Sequence, residues 1–415
     1  MSGSSISRIG LRSTALVCAA VIGLGLPQPG SAAERGRPPE RTVFTAADAA
    51  SARPDGLPAG LRIPGDDPAA FARLLDDARA VADPWLVLSG GGENGAFAAG
   101  LLKGWSEAGT RPSFGVITGV STGAMIAPFA FVGSGGDDAL HKAYTDTSAA
   151  DVFEFGGTNE ALTDTWPLKR RIDQSVTPKL LQAIAAEHAK GRRLLIATTA
   201  VDSERPVLWD MGAIAATGGP KALALFRDII LASSAVPGVF PPVMVQAMAG
   251  SRPIQEMHDD GGTTASYYLA PEATLLPADP VALPTHRVYL VINNTLAPHF
   301  QMASRTTLSV LGRSMSAAIK AQTRAALALS RGFAQRTGLD LRVAEIDGRF
   351  TRTSTVPFDQ TYMRALFAHG EALGRAGTAF TGEGIDAVRP TVSRPGATEP
   401  QHTSSGHAVK DLARR

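Results

Sequence analysis

The sequence predicts an α/β fold with a mostly parallel central sheet and helices on both faces of that sheet. Between residues 81 and 380, short apolar runs alternate with longer segments whose apolar residues recur every three or four positions. Two of the short runs lead through glycine-containing turns directly into helical segments. Such alternation is typical of parallel strands connected by helices, which then cover the sheet on both sides.

Five apolar runs of strand length predict the buried strands of this sheet. They are WLVL from Trp85, FGVIT from Phe114, RRLLIATTAV from Arg192, RVYLVINNTL from Arg287 and LRVAEI from Leu341. Their nearly continuous apolar character indicates burial on both faces.

The segments that connect these strands have helical periodicity. They are GAFAAGLLKGW from Gly95, TGAMIAPFAFVG from Thr122, TPKLLQAIAAEHAKG from Thr177, a long segment from Thr306 that predicts one helix or a pair, and FDQTYMRALFAHGEALGRAG from Phe358. Thr177 is typical of a helix N-cap, and Gly191 is typical of a helix end. The apolar stripe of the long segment favours core packing over a cofactor groove.

Residues 1–33 predict an export signal. Arg8 and Arg12 precede the apolar run TALVCAAVIGLGL, and the small residues of GSAA offer a cleavage site near Ala33. A single membrane anchor is the alternative, but the apolar run is shorter than the ~20 residues that a spanning helix needs. We therefore expect an exported protein, either periplasmic or secreted.

Cys18 is the only cysteine, and it lies inside this apolar run directly after Val17. Lipoprotein signals carry a small residue before the cysteine, so the sequence does not favour lipid anchoring at Cys18. Once residues 1–33 are removed, the chain has no disulfide, no thiolate metal site and no cysteine nucleophile. It then carries 38 acidic and as many basic side chains, a balance that gives no indication of nucleic-acid binding.

Composition divides the remaining chain into three parts. Residues 34–80 are rich in Pro, Ala and Gly and predict a loose leader, whereas residues 381–415 are polar and predict a disordered tail. Residues 81–380 between them predict the folded domain.

The motif GVSTG, residues 119–123, is the sharpest chemical signal in this domain. It lies between a predicted strand and a predicted helix, as the G-x-S-x-G nucleophile elbow requires. Gly119 and Gly123 leave room for a strained turn, and Ser121 would project at the N-terminus of the following helix. The partial positive charge of that helix end favours a developing alkoxide.

The motif GGGENG, residues 90–95, has two interpretations. Gly90, Gly92 and Gly95 match the dinucleotide fingerprint G-x-G-x-x-G, which requires an acidic residue about 20 positions further on. No acidic residue occurs between Glu107 and Asp137, and a serine elbow stands in that place instead. We therefore interpret the turn as an oxyanion hole formed by backbone N–H groups.

A serine nucleophile needs a base, and the sequence offers two kinds. His286, His299 and His369 occur late enough for a histidine triad, but none lies in a recognisable motif, which favours ordinary surface or core histidines. In HDDGG, residues 258–262, Asp260 stands directly before Gly261 and Gly262 and can meet Ser121. The alternative interpretation of that segment is a plain β-turn.

These motifs in this order resemble the patatin-like phospholipases. The resemblance rests on SGGGENG, GVSTG, ASSAVPGVFPPV (residues 232–243) and DGG, and it spans roughly residues 85–268. It implies a three-layer patatin-like fold over residues 81–380, a catalytic dyad of Ser121 and Asp260, and an oxyanion hole at Gly90, Gly91 and Gly92. We expect no cofactor and no metal, because calcium-dependent phospholipases need clustered oxygen ligands and the sequence contains no such loop.

The sequence departs from the family pattern at two places. Asn94 stands where relatives commonly carry Arg or Lys, and TTASYYLAP follows the DGG motif where many relatives have Asn and Pro. His258 and Asp259 either tune the pKa of Asp260 or are ordinary loop residues. Ser233 and Ser234 are interpreted as structural caps or turn donors.

The resemblance implies an exported lipid acyl hydrolase that cleaves carboxylic esters of phospholipids or acylglycerols through an acyl-enzyme. Contact with a membrane surface is expected to be peripheral, and the oligomeric state is not assigned. Two alternatives stay open: a soluble esterase for short esters, and a non-catalytic lipid- or protein-binding module that uses the same cleft.

Overall fold

A mixed sheet of ten strands runs through the centre of the molecule. The computed structural model describes residues 41–76, 78–156, 160–298, 300, 302–354 and 356–381. The predicted export signal and all but the first residue of the predicted tail lie outside the described residues.

The strands are numbered in chain order. They are β1 (Arg53–Pro54), β2 (Arg62–Pro64), β3 (Trp85–Leu88), β4 (Val116–Gly119), β5 (Glu154–Phe155), β6 (Thr163–Asp164), β7 (Arg193–Ala200), β8 (Arg205–Asp210), β9 (Val243–Ala249), β10 (Arg252–Asp260), β11 (Arg287–Ile292) and β12 (Asp340–Glu345). Strands β5 and β6 form a separate two-stranded hairpin.

The helices are likewise numbered in chain order. They are α1 (Ala46–Ser51), α2 (Pro68–Asp76), α3 (Gly95–Glu107), α4 (Thr122–Phe131), α5 (Asp137–Thr145), α6 (Trp166–Ser175), α7 (Pro178–His188), α8 (Met211–Thr217), α9 (Gly219–Ser233), α10 (Glu272–Leu275), α11 (Thr307–Thr337) and α12 (Gln360–Ala376). The long segment that predicted one helix or a pair is the single helix α11.

The predicted α/β architecture is confirmed. Strands β7, β4, β3, β11 and β12 are parallel neighbours in that order, and they are the five strands predicted from the apolar runs. Strands β8, β9 and β10 add antiparallel pairs beside β7 that the sequence did not predict, so the sheet is mixed.

Alternate side chains of β3 face two separate apolar cores, one on each face of the sheet. Leu86 and Leu88 pack in the core that includes residues of α3, α4, α9 and α12. Trp85 and Val87 pack in the core that includes residues of α2, α10 and α11. Helices therefore cover both faces, as the sequence predicted.

The prediction of a loose leader over residues 34–80 is wrong from Thr45 onward. Here α1, β1, β2 and α2 form, β2 pairs with β8, and Phe71 and Leu75 of α2 are buried. The Pro and Gly residues of this segment connect short elements, and its few apolar side chains are enough to dock them on the domain.

Helices α3 and α12 pack almost backbone to backbone. A Cβ added at Gly100 would lie 2.0 Å from the Phe367 carbonyl oxygen, and one added at Gly370 would lie 2.3 Å from that of Phe97. Any larger residue at either position would force the helices apart. This close contact brings the start of α12 next to the glycine turn that precedes α3.

No helix in the described part of the chain combines the length and the apolar content needed to cross a membrane.

Candidate active site

Ser121 lies in the tight turn between the end of β4 and the start of α4. Its backbone has φ 55° and ψ −124°, a conformation that residues other than glycine rarely adopt and that costs ~1–3 kcal/mol. A Cβ at Gly123 would lie 2.4 Å from the Leu88 carbonyl oxygen, so glycine lets α4 begin directly against the end of β3. The strained serine at the turn is therefore held by its neighbours.

Ser233, at the end of α9, fixes the backbone of this turn. Its hydroxyl accepts a hydrogen bond from the Ser121 N–H at 3.0 Å and donates one to the Ala197 carbonyl oxygen at 2.7 Å. The side chain is fully buried. Ser234 instead donates to the Ile230 carbonyl oxygen within its own helix. Both contacts fit the predicted structural role of these two serines.

The Ser121 hydroxyl donates a hydrogen bond to Asp260 Oδ2 at 2.7 Å. Two features of the sheet bring these residues together across 139 positions of sequence. Gly119, near the end of β4, is paired with Ile196 of β7, and Asp260, at the end of β10, is paired with Thr198 of the same strand. The ends of β4 and β10 therefore lie on either side of the same part of β7.

The other Asp260 oxygen is also engaged. Oδ1 accepts a hydrogen bond from the Gly262 N–H at 2.7 Å, so the tight DGG turn orients the carboxylate. The Asp260 N–H donates to the Ala235 carbonyl oxygen at 3.0 Å, which ties the motif to the segment after α9. Asp260 thus ends a strand and caps a short helical turn, rather than lying in a plain β-turn.

Burial raises the pKa of Asp260 to about 7. The hydrogen bonds from Ser121 and Gly262 oppose this shift, and the nearby Asp259 carboxylate reinforces it. A carboxyl group with a pKa near neutrality is a far better proton acceptor than an ordinary aspartate, because catalytic efficiency increases as the pKa approaches the working pH.

His258 and Asp259 are strand residues of β10 and not ordinary loop residues. Asp259 contributes to the raised pKa of Asp260, and its own pKa is raised to about 6 by burial. His258 is fully buried with Nδ1 at 3.0 Å from the Thr198 hydroxyl, and burial lowers its pKa to about 3. Its ring is therefore neutral and adds no charge to the site.

Neither of the two candidate histidines that the structure describes forms a triad with Ser121. The His286 side chain is almost wholly exposed beside Asp83, and His369 lies on α12 between the rings of Phe97 and Phe350. The third candidate, His299, lies outside the described residues. Asp260 is the acceptor that the structure places against the serine hydroxyl.

The predicted three-donor oxyanion hole needs a correction. The Gly90 N–H donates to the Ser266 carbonyl oxygen at 2.9 Å, so it is not free to bind an oxyanion. The N–H groups of Gly91 and Gly92 have no acceptor among the described residues. Asn293, fully buried after β11, holds this turn: its Nδ2 donates to the Ser89 carbonyl oxygen at 3.0 Å.

The Thr122 N–H is a third donor that the sequence analysis missed. Thr122 begins α4 directly after the nucleophile candidate, and within the described part of the chain its N–H has no acceptor. In nucleophile elbows the residue after the serine supplies an oxyanion donor. In the sequence, only the motif GVSTG indicated that the residue after Ser121 is an oxyanion donor. The unpaired donors at the site are thus the N–H groups of Gly91, Gly92 and Thr122.

A mostly apolar cavity of about 390 Å³ adjoins Ser121 and Gly92. Its walls include Met125, Phe129, Leu140, Ile230, Phe240 and Phe358. This volume lies within the range of small-molecule sites, and such a lining suits a hydrocarbon chain better than a polar group.

The two residues after the glycine turn contact the start of α12. The Asn94 side-chain oxygen accepts a hydrogen bond from the Tyr362 hydroxyl at 2.7 Å. The Glu93 carboxylate accepts one from the Phe358 N–H, and burial raises the pKa of Glu93 to about 7. Asn94 thus has a structural partner at the start of α12.

Clusters of three or more His, Cys, Asp or Glu side chains that could bind a metal are absent from the described residues.

Comparison with known proteins finds one family model that matches this region. Residues 86–269 match the family model described as patatin-like phospholipase. No curated protein matches the sequence. Among solved structures, the chain is similar to VipD from Legionella pneumophila, with a TM-score of 0.37 and 11% identity over 72% of this chain and 67% of that chain.

Proposed function

We propose that this chain, in which residues 86–269 match the patatin-like phospholipase family model, hydrolyses carboxylic ester bonds of lipids through a dyad of Ser121 and Asp260. The observation that carries the proposal is the 2.7 Å hydrogen bond from the Ser121 hydroxyl to the Asp260 carboxylate, at the wall of an apolar cavity. Among the described residues, no histidine ring lies between the two groups.

In the first half of the reaction, Asp260 accepts the proton of the Ser121 hydroxyl while Oγ attacks the ester carbonyl carbon. The carbonyl oxygen becomes an oxyanion, which the N–H groups of Gly91, Gly92 and Thr122 are free to bind. The tetrahedral intermediate then expels the alcohol, which takes the proton from Asp260, and the acyl group stays on Ser121.

In the second half, Asp260 accepts a proton from water, and the resulting hydroxide attacks the acyl carbonyl carbon. The C–O bond to Ser121 breaks, the serine oxygen takes the proton back from Asp260, and the fatty acid leaves. Three features support this role for a carboxylate: the raised pKa of Asp260, its two fixed hydrogen bonds, and the apolar walls that keep water away from the acyl chain.

The test is hydrolysis by purified wild type, Ser121→Ala and Asp260→Asn on phospholipids, monoacylglycerols and short nitrophenyl esters. We expect fatty-acid release from wild type, and losses of about a thousandfold or more in both variants, the scale seen when members of a catalytic unit are removed. His369→Ala is the control and should keep near-normal rates, since His369 is remote from Ser121.

Three outcomes would overturn the proposal. Activity confined to short soluble esters would indicate a soluble esterase. The absence of turnover together with the absence of fluorophosphonate labelling at Ser121 would indicate a non-catalytic binding module. Full activity in Asp260→Asn would show that the Asp260 carboxylate is not needed for catalysis.

A further inference from the structure

The stretch of chain from residue 280 to residue 339 has an unusual charge. It contains no acidic residue, because Asp279 and Asp340 are the nearest acids on either side, yet it contains seven Lys and Arg residues. The whole chain carries a formal net charge of only +2. Arg287, at the start of this segment, is paired with Asp340 at 2.6 Å, so the excess positive charge lies in the cations from Arg305 onward, which attract anions.

The same segment exposes large apolar side chains. Phe300 and Met302 are 89% and 85% exposed, and Val310, in the first turn of α11, is 53% exposed. Arg305, which lies between them, is exposed as well. These four residues are called the rim below. Single exposed apolar residues are ordinary, but three within eleven positions around a cation are a mark of an interaction surface.

The rim lies at the edge of the sheet that carries the candidate active site. It follows the carboxyl end of β11, whereas the glycine turn and Ser121 follow the carboxyl ends of the parallel neighbours β3 and β4. The first turns of α11 also reach the cavity wall. A Cβ at Gly238 would lie 3.9 Å from Leu311, and Gly238 lies between the cavity residues Val236 and Phe240.

Helix α11 is hydrogen-bonded to the domain through its middle turns, and the described side chains of its first half are not fully buried. Lys320 donates to the Thr295 hydroxyl at 2.8 Å, and Arg324 donates to the Leu296 carbonyl oxygen at 2.9 Å, so the helix is fastened to the loop after β11. Among the described side chains of residues 307–322, none is fully buried. Within the part of the chain that the structure describes, the apolar side chains of the rim are therefore left uncovered.

We propose that the rim binds an anionic phospholipid surface and thereby presents the cavity beside Ser121 to membrane lipids. Apolar side chains that insert among acyl chains, next to cations that meet lipid phosphates, are the combination that holds proteins at a bilayer interface. Membrane binding serves the proposed lipid hydrolysis, and the proposal rests on that function. Binding to a lipid surface is nevertheless measurable without turnover.

A second copy of the chain is a poorer occupant of this surface. A two-fold contact through the rim would place Arg305 of one copy near Arg305 of the other, within a segment that supplies no acid to compensate. The β5–β6 hairpin also exposes apolar residues, but its segment carries Glu154, Glu160 and Asp164. For that reason the hairpin is not part of the proposed surface.

The test is co-sedimentation of the full chain with vesicles of phosphatidylcholine, with and without phosphatidylglycerol. The chain carries Ser121→Ala so that no lipid is hydrolysed during the measurement. We expect binding that requires phosphatidylglycerol and decreases with added salt. Arg305→Gln should weaken it about five-fold, which corresponds to about 1 kcal/mol per cation near an anionic surface. Phe300→Ser and Met302→Ser should each weaken it about ten-fold.

Val281→Ser is the matched control. Val281 is 82% exposed within the same acid-free segment, but it precedes β11 and so lies towards the opposite edge of the sheet. The proposal fails if vesicles of neither composition bind, if Val281→Ser weakens binding as much as the rim variants, or if sedimentation velocity shows a dimer that the rim variants dissociate. Fatty-acid release from phospholipids by wild type, with no vesicle binding by the Ser121→Ala chain, would refute the rim alone. Vesicle binding with no turnover by wild type would refute the proposed function alone.

Discussion

The Ser121 N–H donates a hydrogen bond to the hydroxyl of Ser233, a fully buried side chain 112 residues further along the chain. Ser121 has a strained backbone, and this contact is the one that holds its amide from outside the turn. The hydroxyl also donates to Ala197 on β7, so one side chain connects the nucleophile turn to the sheet.

We expect Ser233→Ala to lower kcat by about ten- to a hundredfold with little change in KM. The variant leaves the Ser121 N–H and the Ala197 carbonyl oxygen without their partner, a loss of about 1–3 kcal/mol. Ser121 would then sample orientations that lie outside hydrogen-bond reach of Asp260. Steady-state kinetics and the rate of fluorophosphonate labelling measure the effect.

The control for Ser233 is its neighbour. Ser234→Ala removes a hydroxyl that, among the described residues, bonds the Ile230 carbonyl oxygen and not the nucleophile turn, so kcat should stay near the wild-type value. An equal loss of melting temperature in both variants, with a loss of kcat in Ser233→Ala alone, identifies positioning of Ser121. An unchanged rate of fluorophosphonate labelling in Ser233→Ala would contradict the positioning of Ser121 by Ser233.

The pH dependence of activity should follow Asp260. As a base, this carboxyl group works only when deprotonated, so kcat/KM should rise with pH through about 7 and then level off. Because the Asp259 carboxylate raises the pKa of Asp260, Asp259→Asn should move the rise to lower pH. Asp138→Asn, at an exposed position on α5, is the control and should leave the profile in place. A profile that Asp259→Asn leaves unmoved, or moves to higher pH, would contradict this coupling.

The contribution of Asp260 to the stability of the folded protein should decrease as the pH rises, whereas kcat/KM should increase. The pKa of Asp260 is raised on folding, to about 7 from about 4 in an unfolded chain. Between these values the folded protein binds the proton and the unfolded chain does not, so this contribution is complete below pH ~4 and disappears as the pH rises through 7. Asp260→Asn lacks that titration.

We therefore expect the Tm of Asp260→Asn to exceed that of wild type by a larger margin at pH 8 than at pH 5. Asparagine has nearly the same shape: its Oδ1 can accept from the Gly262 N–H and its Nδ2 can donate to the Ser121 oxygen, so packing is not disturbed. Thermal unfolding in matched buffers measures the difference. An equal margin at both pH values would show that Asp260 is ionised throughout this range in the folded protein.

The sequence predicted those structural and functional features that depend on residues close together in the chain. WLVL predicted β3 from Trp85 to Leu88, the bounds that the structure has, because a strand buried on both faces is apolar throughout. The elbow and the DGG turn were likewise readable, since the strain at Ser121 and the tight turn after Asp260 both require adjacent glycines.

The sequence was less informative wherever a residue depends on a distant partner. Strand β10 was missed because its apolar pattern is interrupted by Glu256, whose charge is buried against Arg62 of β2 at 2.6 Å. Gly90 was counted as an oxyanion donor because nothing in GGGENG reveals that Ser266 takes its N–H. Ser233 was predicted to be structural, but its distant partners Ser121 and Ala197 could not be predicted for the same reason.

The loop before α12 should control the length of the acyl chain that the cavity accepts. The Phe358 ring lines the cavity and contacts Phe153, while the Phe358 backbone, at φ 53°, is held by the Glu93 carboxylate. Phe358→Ala enlarges the cavity at this wall. We expect the preferred nitrophenyl ester to shift to a longer chain, measured as kcat/KM across a series of chain lengths.

Glu93 should act through Phe358 and not on the ester itself. Glu93→Ala removes the acceptor of the Phe358 N–H and should shift the chain-length preference in the same direction as Phe358→Ala, whereas Glu93→Gln keeps an acceptor oxygen and should shift it less. Because both changes act on one wall, the double variant should show little more than the larger single shift. Phe155→Ala is the control, since that exposed ring also contacts Phe153 but does not line the cavity. Additive shifts in the double variant would mean that Glu93 and Phe358 act independently.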